Sequence, residues 1–158
     1  MAVLTESLLV DASLAETWGY YFEPRGWVAW VDGFAGVESS AGFPQEGSTL
    51  VWRSTPAGRG TVSERVLEHQ PRRLHRIAFS DPASRGQQLT QFEVEGEATR
   101  VTLELEYELV SGGAFAAVTE RLFVRSQVRK ALQRTLLRFK HEAEEAAHLD
   151  GARSAADR

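Results

Sequence analysis

The sequence predicts an α+β fold in which one seven-stranded antiparallel sheet is covered by a long C-terminal helix, with two short helices after the first strand. Three features carry this prediction. Period-two patterning fills the middle of the chain, a helical pattern runs from Phe115 to about Ala147, and an aromatic stretch, ETWGYYFEPRGWVAWVDGF (Glu16–Phe34), lies between the first strand and the rest. A sheet has to hide its apolar face, and the long helix is the element available to cover it.

Leu4–Val10 reads as the first strand. Ser13-Leu14-Ala15-Glu16 matches a capping box, in which the Ser13 hydroxyl and the Glu16 carboxylate satisfy free N–H groups at a helix start. That helix runs to about Phe22 and Pro24 ends it. A second helical piece, Gly26–Val31, carries Trp27 and Trp30. Six strands follow: Phe34–Ser39, Ser48–Ser54, Gly60–His69, Leu74–Ser80, Gln87–Glu95 and Arg100–Val110. Turn chemistry such as Thr55-Pro56-Ala57-Gly58 and Asp81-Pro82 separates them. In the last strand Val101, Leu103, Leu105, Tyr107 and Leu109 alternate with Thr102, Glu104, Glu106 and Glu108, which marks a sheet with one wet face. Ser111-Gly112-Gly113 breaks the pattern before the long helix. Residues 1–149 read as a single ligand-binding domain and 150–158 as a disordered polar tail.

Composition excludes several classes. The chain has 158 residues, enough for one domain with its own core, and no cysteine, so disulfides and thiolate chemistry are ruled out. A net charge of −4 argues against nucleic acid as a partner. No apolar run approaches the roughly 20 residues needed to span a bilayer, and residues 1–10 lack the features of a signal peptide. A cytoplasmic protein, monomeric or homodimeric, is expected.

The segments VDASLAETWGYY, WVAW, GSTLVWRS and VSERVLEHQPRRL, followed by a long final helix, resemble the SRPBCC superfamily. That group includes the START-related lipid carriers, the birch-pollen-allergen fold and the polyketide cyclase/dehydrase proteins. The resemblance spans roughly Leu4 to Ala147 and carries no catalytic motif. It implies a helix-grip fold, with an apolar cavity between sheet and helix that binds or transforms a hydrophobic small molecule. Fold alone does not choose between those activities.

Strand parity then nominates the cavity residues. Leu50 and Trp52, Val62, Glu64 and Val66, His75, Ile77 and Phe79, and Thr90, Phe92 and Val94 share the inner face. On the helix, Val118, Leu122, Leu132, Leu136, Phe139 and Ala143 form the apolar stripe, with Arg125 near its middle and Arg129 beside it, and with Gln127 and Arg134 opposite. The candidate ligand-binding set is Trp27, Trp30, Trp52, Glu64, His75, Phe79, Thr90, Phe92, Tyr107, Leu122, Arg125, Arg129 and Leu132, a mostly apolar wall with a few polar groups. Each has a plainer reading. The tryptophans and Tyr107 serve equally well as core, the arginines as stems laid on apolar surface with their heads in water, and His75 as a hydrogen-bonded core histidine. Glu64, His75 and Arg125 are the catalytic candidates, and Glu64 and Arg125 are expected to face each other, because neither charge is stable buried alone. One bulge would flip a strand and undo its assignment.

Other motifs fail on inspection. HEAEEAAH (His141–His148) has Glu145 where a zinc helix needs its second histidine, and no metal is implied. Gly58-Arg59-Gly60 lacks a phosphate-loop lysine, and no nucleophile elbow or cofactor fingerprint is present. The first reading is therefore a carrier or binder of a lipid, isoprenoid or polyketide-like molecule. The second is a cyclase/dehydratase-type enzyme using the same cavity, and the third is a protein-interaction module of the chaperone-activator type. Convergence of Glu64, His75 and Arg125 in a roomy cavity would favour the enzyme. A cavity packed solid would favour the interaction module.

Overall fold

The computed structural model describes residues 1–110 and 118–158. The elements are β1 (Ala2–Val10), α1 (Leu14–Tyr21), a 3-10 turn (Pro24–Gly26), α2 (Trp27–Trp30), β2 (Phe34–Ser39), β3 (Thr49–Ser54), β4 (Thr61–Gln70), β5 (Leu74–Ser80), β6 (Ser84–Glu95), β7 (Ala98–Leu109) and α3 (Val118–Ala156). The seven strands form one sheet in the order β1-β7-β6-β5-β4-β3-β2, antiparallel throughout. This is the helix-grip arrangement: a curved sheet around a long helix, with α1 and α2 closing one end.

Local chemistry explains most boundaries. The capping box at α1 is formed: the Glu16 N–H donates to Ser13 Oγ at 3.2 Å, and the Ser13 N–H donates to Glu16 Oε2 at 2.9 Å. The parity of β7 holds, with Val101, Leu103 and Tyr107 buried and Glu104 outside. β6 starts at Ser84, earlier than the Gln87 expected, because Gly86 is part of the ladder and not a break. It pairs with Phe79 on one side and Tyr107 on the other. A Cβ there would stand 1.9 Å from the Glu106 carbonyl oxygen, so only glycine allows the two strands to approach this closely.

The start of the long helix at Phe115, the Ser111-Gly112-Gly113 break and the Val118 side chain lie outside what is described. At its other end α3 continues to Ala156, so the expected tail from Asp150 is helical for most of its length. Nothing in Leu149–Ala156 breaks a helix except the weak former Gly151, and alanine and arginine favour one. The residues from His148 onward are exposed, so this last part rests on propensity and not on packing.

The helix presents a different face upstream from the one expected. Leu132, Leu136, Phe139 and Ala143 are buried as predicted, but Leu122 is 62% exposed. Counting back in fours from Leu132 reaches Val128 and Val124, which take the inner positions. Leu122 lies about 200° around the helix from Val124. Leu132 to Ala143 pack with Trp30, Tyr20 and Tyr21 of the short helices into a continuous core. Ahead of Leu132 the helix stands off the sheet and leaves a space.

Candidate functional site

That space is a cavity of about 540 Å³ between α3, α2 and the inner face of β3 to β7. Its walls are aromatic. Tyr21, Phe22, Trp27 and Trp30 come from the helical stretch, and Phe34, Phe43, Trp52, Phe79 and Tyr107 from the sheet and its loops. The short helices supply this wall because Pro24 and Gly26 turn the chain back on itself, and the Trp27 indole N–H pins the turn by donating to the Tyr21 carbonyl at 2.9 Å. From α3 come Val124, Gln127, Val128, Ala131, Leu132 and Thr135.

Of the residues nominated from the sequence, Trp27, Trp30, Trp52, Glu64, His75, Phe79, Tyr107 and Leu132 line the cavity. Thr90 and Phe92 face inward but sit beneath α1. Thr90 is hydrogen-bonded to the Tyr21 hydroxyl at 2.9 Å, and Phe92 packs on Trp18 and Tyr21. The aromatic helix covers them, so they support the wall and do not form it. Leu122 points to solvent. Arg125 and Arg129 also leave the cavity: Arg125 donates to the Val3 carbonyl at 3.1 Å, and Arg129 pairs with Glu6 at 3.5 Å. The reason is the open edge of β1, whose carbonyls lack a strand partner. Arg125 and Lys140, which donates to the Leu9 carbonyl at 2.8 Å, cover that edge at less cost than burying a guanidinium. The expected Glu64–Arg125 pair therefore does not exist. Gln127, expected on the far face of the helix, is turned inward instead.

Glu64 has another partner. It sits in the middle of β4, opposite Leu50 on β3 and Phe79 on β5, and its Oε1 accepts the Trp52 indole N–H at 2.8 Å. Removal from bulk water pushes its carboxyl above the usual range, with the Trp52 hydrogen bond and the Arg59 charge pulling the other way. The neutral acid is thus favoured more than in water.

His75 lies at the other end of the cavity, between Phe22 and Phe43, whose rings meet it edge-on at 4.9 and 5.6 Å. Its Nδ1 is 3.1 Å from His69 Nδ1, so one ring donates and the other accepts. Burial, then the neighbouring His69, lowers its pKa to about 3, and the ring is neutral across the physiological range. His69 faces inward because a bulge between Val66 and Glu68 shifts the register of β4. Strict alternation would have turned it outward. Glu64 and His75 do not converge: Glu64 is opposite Phe79, four residues along β5 from His75, or about 13 Å.

Polar cavity residues also come from turns, where no periodicity points inward. Arg59 in the β3–β4 turn reaches Asp81 in the β5–β6 turn, with Nε and Nη2 each 2.8 Å from Oδ2. Burial raises Asp81, but N–H groups of Ala83 and Ser84 and the Arg59 guanidinium outweigh it and hold the carboxyl below its usual range. Asp32, after α2, is gripped by Arg134 and Arg138 of α3 at 3.1 to 3.2 Å.

The sequence model of a family described as polyketide cyclase/dehydrase and lipid transport matches residues 1–144. The chain belongs to that family. Membership places it in the SRPBCC superfamily, as the sequence resemblance implied. No curated protein matches the chain significantly in sequence. Among solved structures the fold is similar to the Zhui aromatase/cyclase of Streptomyces sp. R1128, with TM-score 0.73 and 15% identity, over 90% of this chain and 93% of that one. It is also similar to a truncated norcoclaurine synthase from Thalictrum flavum, with TM-score 0.63 and 14% identity, over 88% and 91% of the two chains. A conserved protein from Geobacillus kaustophilus gives TM-score 0.68 at 12% identity, over 92% and 97%. At these identities the family members and neighbours share a fold with this chain, and the chemistry has to be argued from the cavity.

Proposed function

We propose that the protein binds a hydrophobic or amphipathic small molecule, preferably a flat unsaturated one, in the cavity between the sheet and α3. The observation that carries this reading is the aromatic wall around a space of about 540 Å³, a size common for small-molecule sites. Nine Phe, Tyr and Trp rings offer faces and edges to a planar ligand, whereas a flexible alkyl chain gains less from them and loses more conformational freedom. The cyclase/dehydrase and lipid-transport description of the family supports the same reading.

A thermal-shift screen of polyketide-like aromatics, isoprenoids, sterols and fatty acids tests it. A ligand at a hundredfold excess over its Kd stabilises the fold by about 2.7 kcal/mol. Flat aromatics are expected to raise Tm most. Ala131→Phe, which extends a ring from α3 into the cavity, is expected to abolish the shift while leaving the free protein folded. If no compound raises Tm, or if Ala131→Phe leaves the shift intact, the reading fails.

A second reading has one observation in its favour. A buried carboxyl shifted toward its neutral form, inside a mostly apolar cavity, is suited to protonate a leaving hydroxyl in a dehydration. With His75 about 13 Å away and Arg125 outside, Glu64 would act without a relay. Glu64→Gln separates the two readings: a carrier retains its ligand, and an enzyme retains ligand but loses turnover of a polyketide-type substrate. The interaction-module reading expected a cavity filled by side chains and finds no support in this one.

A further inference from the structure

The Arg59 guanidinium is placed in a way that turn stability does not require. The Asp81 side chain, 1% exposed, already accepts the N–H groups of Ala83 at 2.9 Å and Ser84 at 2.8 Å, and the Ser84 hydroxyl at 3.0 Å. These bonds close the β5–β6 turn without help. Arg59 adds to them from a different hairpin, and both of its contacts go to one oxygen, Oδ2, through Nε and Nη2. Its Nη1 has no hydrogen-bond partner among the described residues. The cation lies over the cavity wall, 5.1 Å from the centre of the Phe79 ring and 5.6 Å from that of Trp52. Aromatic faces hold a guanidinium in place without using its N–H donors. The side chain is 42% exposed, so it reaches both the cavity and water.

We propose that Arg59, fixed by Asp81 against Trp52 and Phe79, recognises an acidic oxygen on the ligand, so that the cavity selects an aromatic acid over its neutral counterpart. The idea rests on the cavity being a ligand site, as proposed above. Apolar surface takes the body of the molecule, and the spare N–H groups of Arg59 take a carboxylate, a phenolate or a comparable oxyanion at one end. An arginine held by an anchor is ready to bind without first being ordered, which strengthens the charged hydrogen bond it makes. Glu64, held by Trp52 and also near this cation, does not oppose the anion so long as its carboxyl is neutral. The other arginine at the cavity, Arg134, spends its fork on both oxygens of Asp32.

Two dyes with one ring skeleton test the assignment: 1-anilinonaphthalene-8-sulfonate and the uncharged N-phenyl-1-naphthylamine, titrated by calorimetry. Both are expected to bind, each displacing the other. Arg59→Met is expected to weaken the sulfonate about 10- to 100-fold, the range for loss of a charged hydrogen bond, and to change the neutral dye less than about twofold. Arg59→Lys, which keeps the charge but not the fork, is expected to fall between. Arg53→Met, on the outer face and paired with Glu38, is expected to change neither. Equal effects of Arg59→Met on both dyes, or no effect on either, overturn the proposal and leave an apolar cavity. Sulfonate that the neutral dye does not displace overturns it too. If neither dye binds the unaltered protein, the ligand-site reading itself falls and the assignment with it.

Discussion

Glu64 and His75 are both driven toward neutrality by burial, which gives them opposite effects on stability as pH changes. The pKa of His75 is depressed to about 3, so the unfolded chain binds the proton that the folded one refuses. Its stabilising contribution is present above pH 6.5 and is lost as pH falls from there toward 3, by up to about 1.4 kcal/mol per pH unit. The pKa of Glu64 is raised, so its contribution is full below the unfolded carboxylate pKa and is lost as pH rises through the folded value. His75→Phe is expected to flatten the acid limb of a urea-denaturation pH profile, and Glu64→Gln the limb above about pH 4.5. An unchanged acid limb in His75→Phe would show that the ring is not held neutral. Both residues were legible in the sequence, because each stands among apolar neighbours of matching parity on a regular stretch of strand. Arg125 was misread for an energetic reason. Helical spacing placed it near the core, but an unpaired strand edge within reach of a long side chain outcompetes a buried site. Arg59 was invisible, since it sits in a turn and its direction depends on a carboxylate 22 residues later.

At the scale of the element, Gly86 marks the tightest constraint. With Glu106 O 1.9 Å from where a Cβ would sit, Gly86→Ala has to push β6 away from β7 at the point where Phe79 and Tyr107 flank the ladder. A cost of at least about 1–3 kcal/mol is expected, the range for overpacking, read as a lower denaturant midpoint at unchanged slope. An unaltered midpoint would mean the two strands are not this close. The same glycine explains why β6 reads short in the sequence: a glycine among polar residues looks like a turn, and only the neighbouring backbone reveals a close approach. Strands β5 and β7, and β4 as far as its bulge after Val66, read correctly because alternation is a local property. The phase of α3 is local only from Leu132 onward, where it packs. Upstream it faces a cavity, and the choice between Val124 and Leu122 is made by distant elements.

For the molecule as a whole, the order of elements and one alternating strand were enough to specify a sheet gripping a helix, because few arrangements bury that pattern. The site was less legible. The strand part of its wall follows from parity, but the Arg59–Asp81 and His69–His75 contacts come from turns and from a bulge, where position in the sequence says little about direction. The cavity has a mechanical side as well. Space inside a folded protein that water does not fill disappears when the chain unfolds, so hydrostatic pressure acts on it directly, and the volume change of unfolding grows with the void eliminated, typically about −20 to −100 mL/mol. A ligand that occupies the space between α3 and the sheet removes void from the folded side of that balance. Pressure-unfolding curves recorded with and without ligand are therefore expected to differ in slope as well as midpoint, shallower when the cavity is filled. A ligand held on the outer surface would move the midpoint alone.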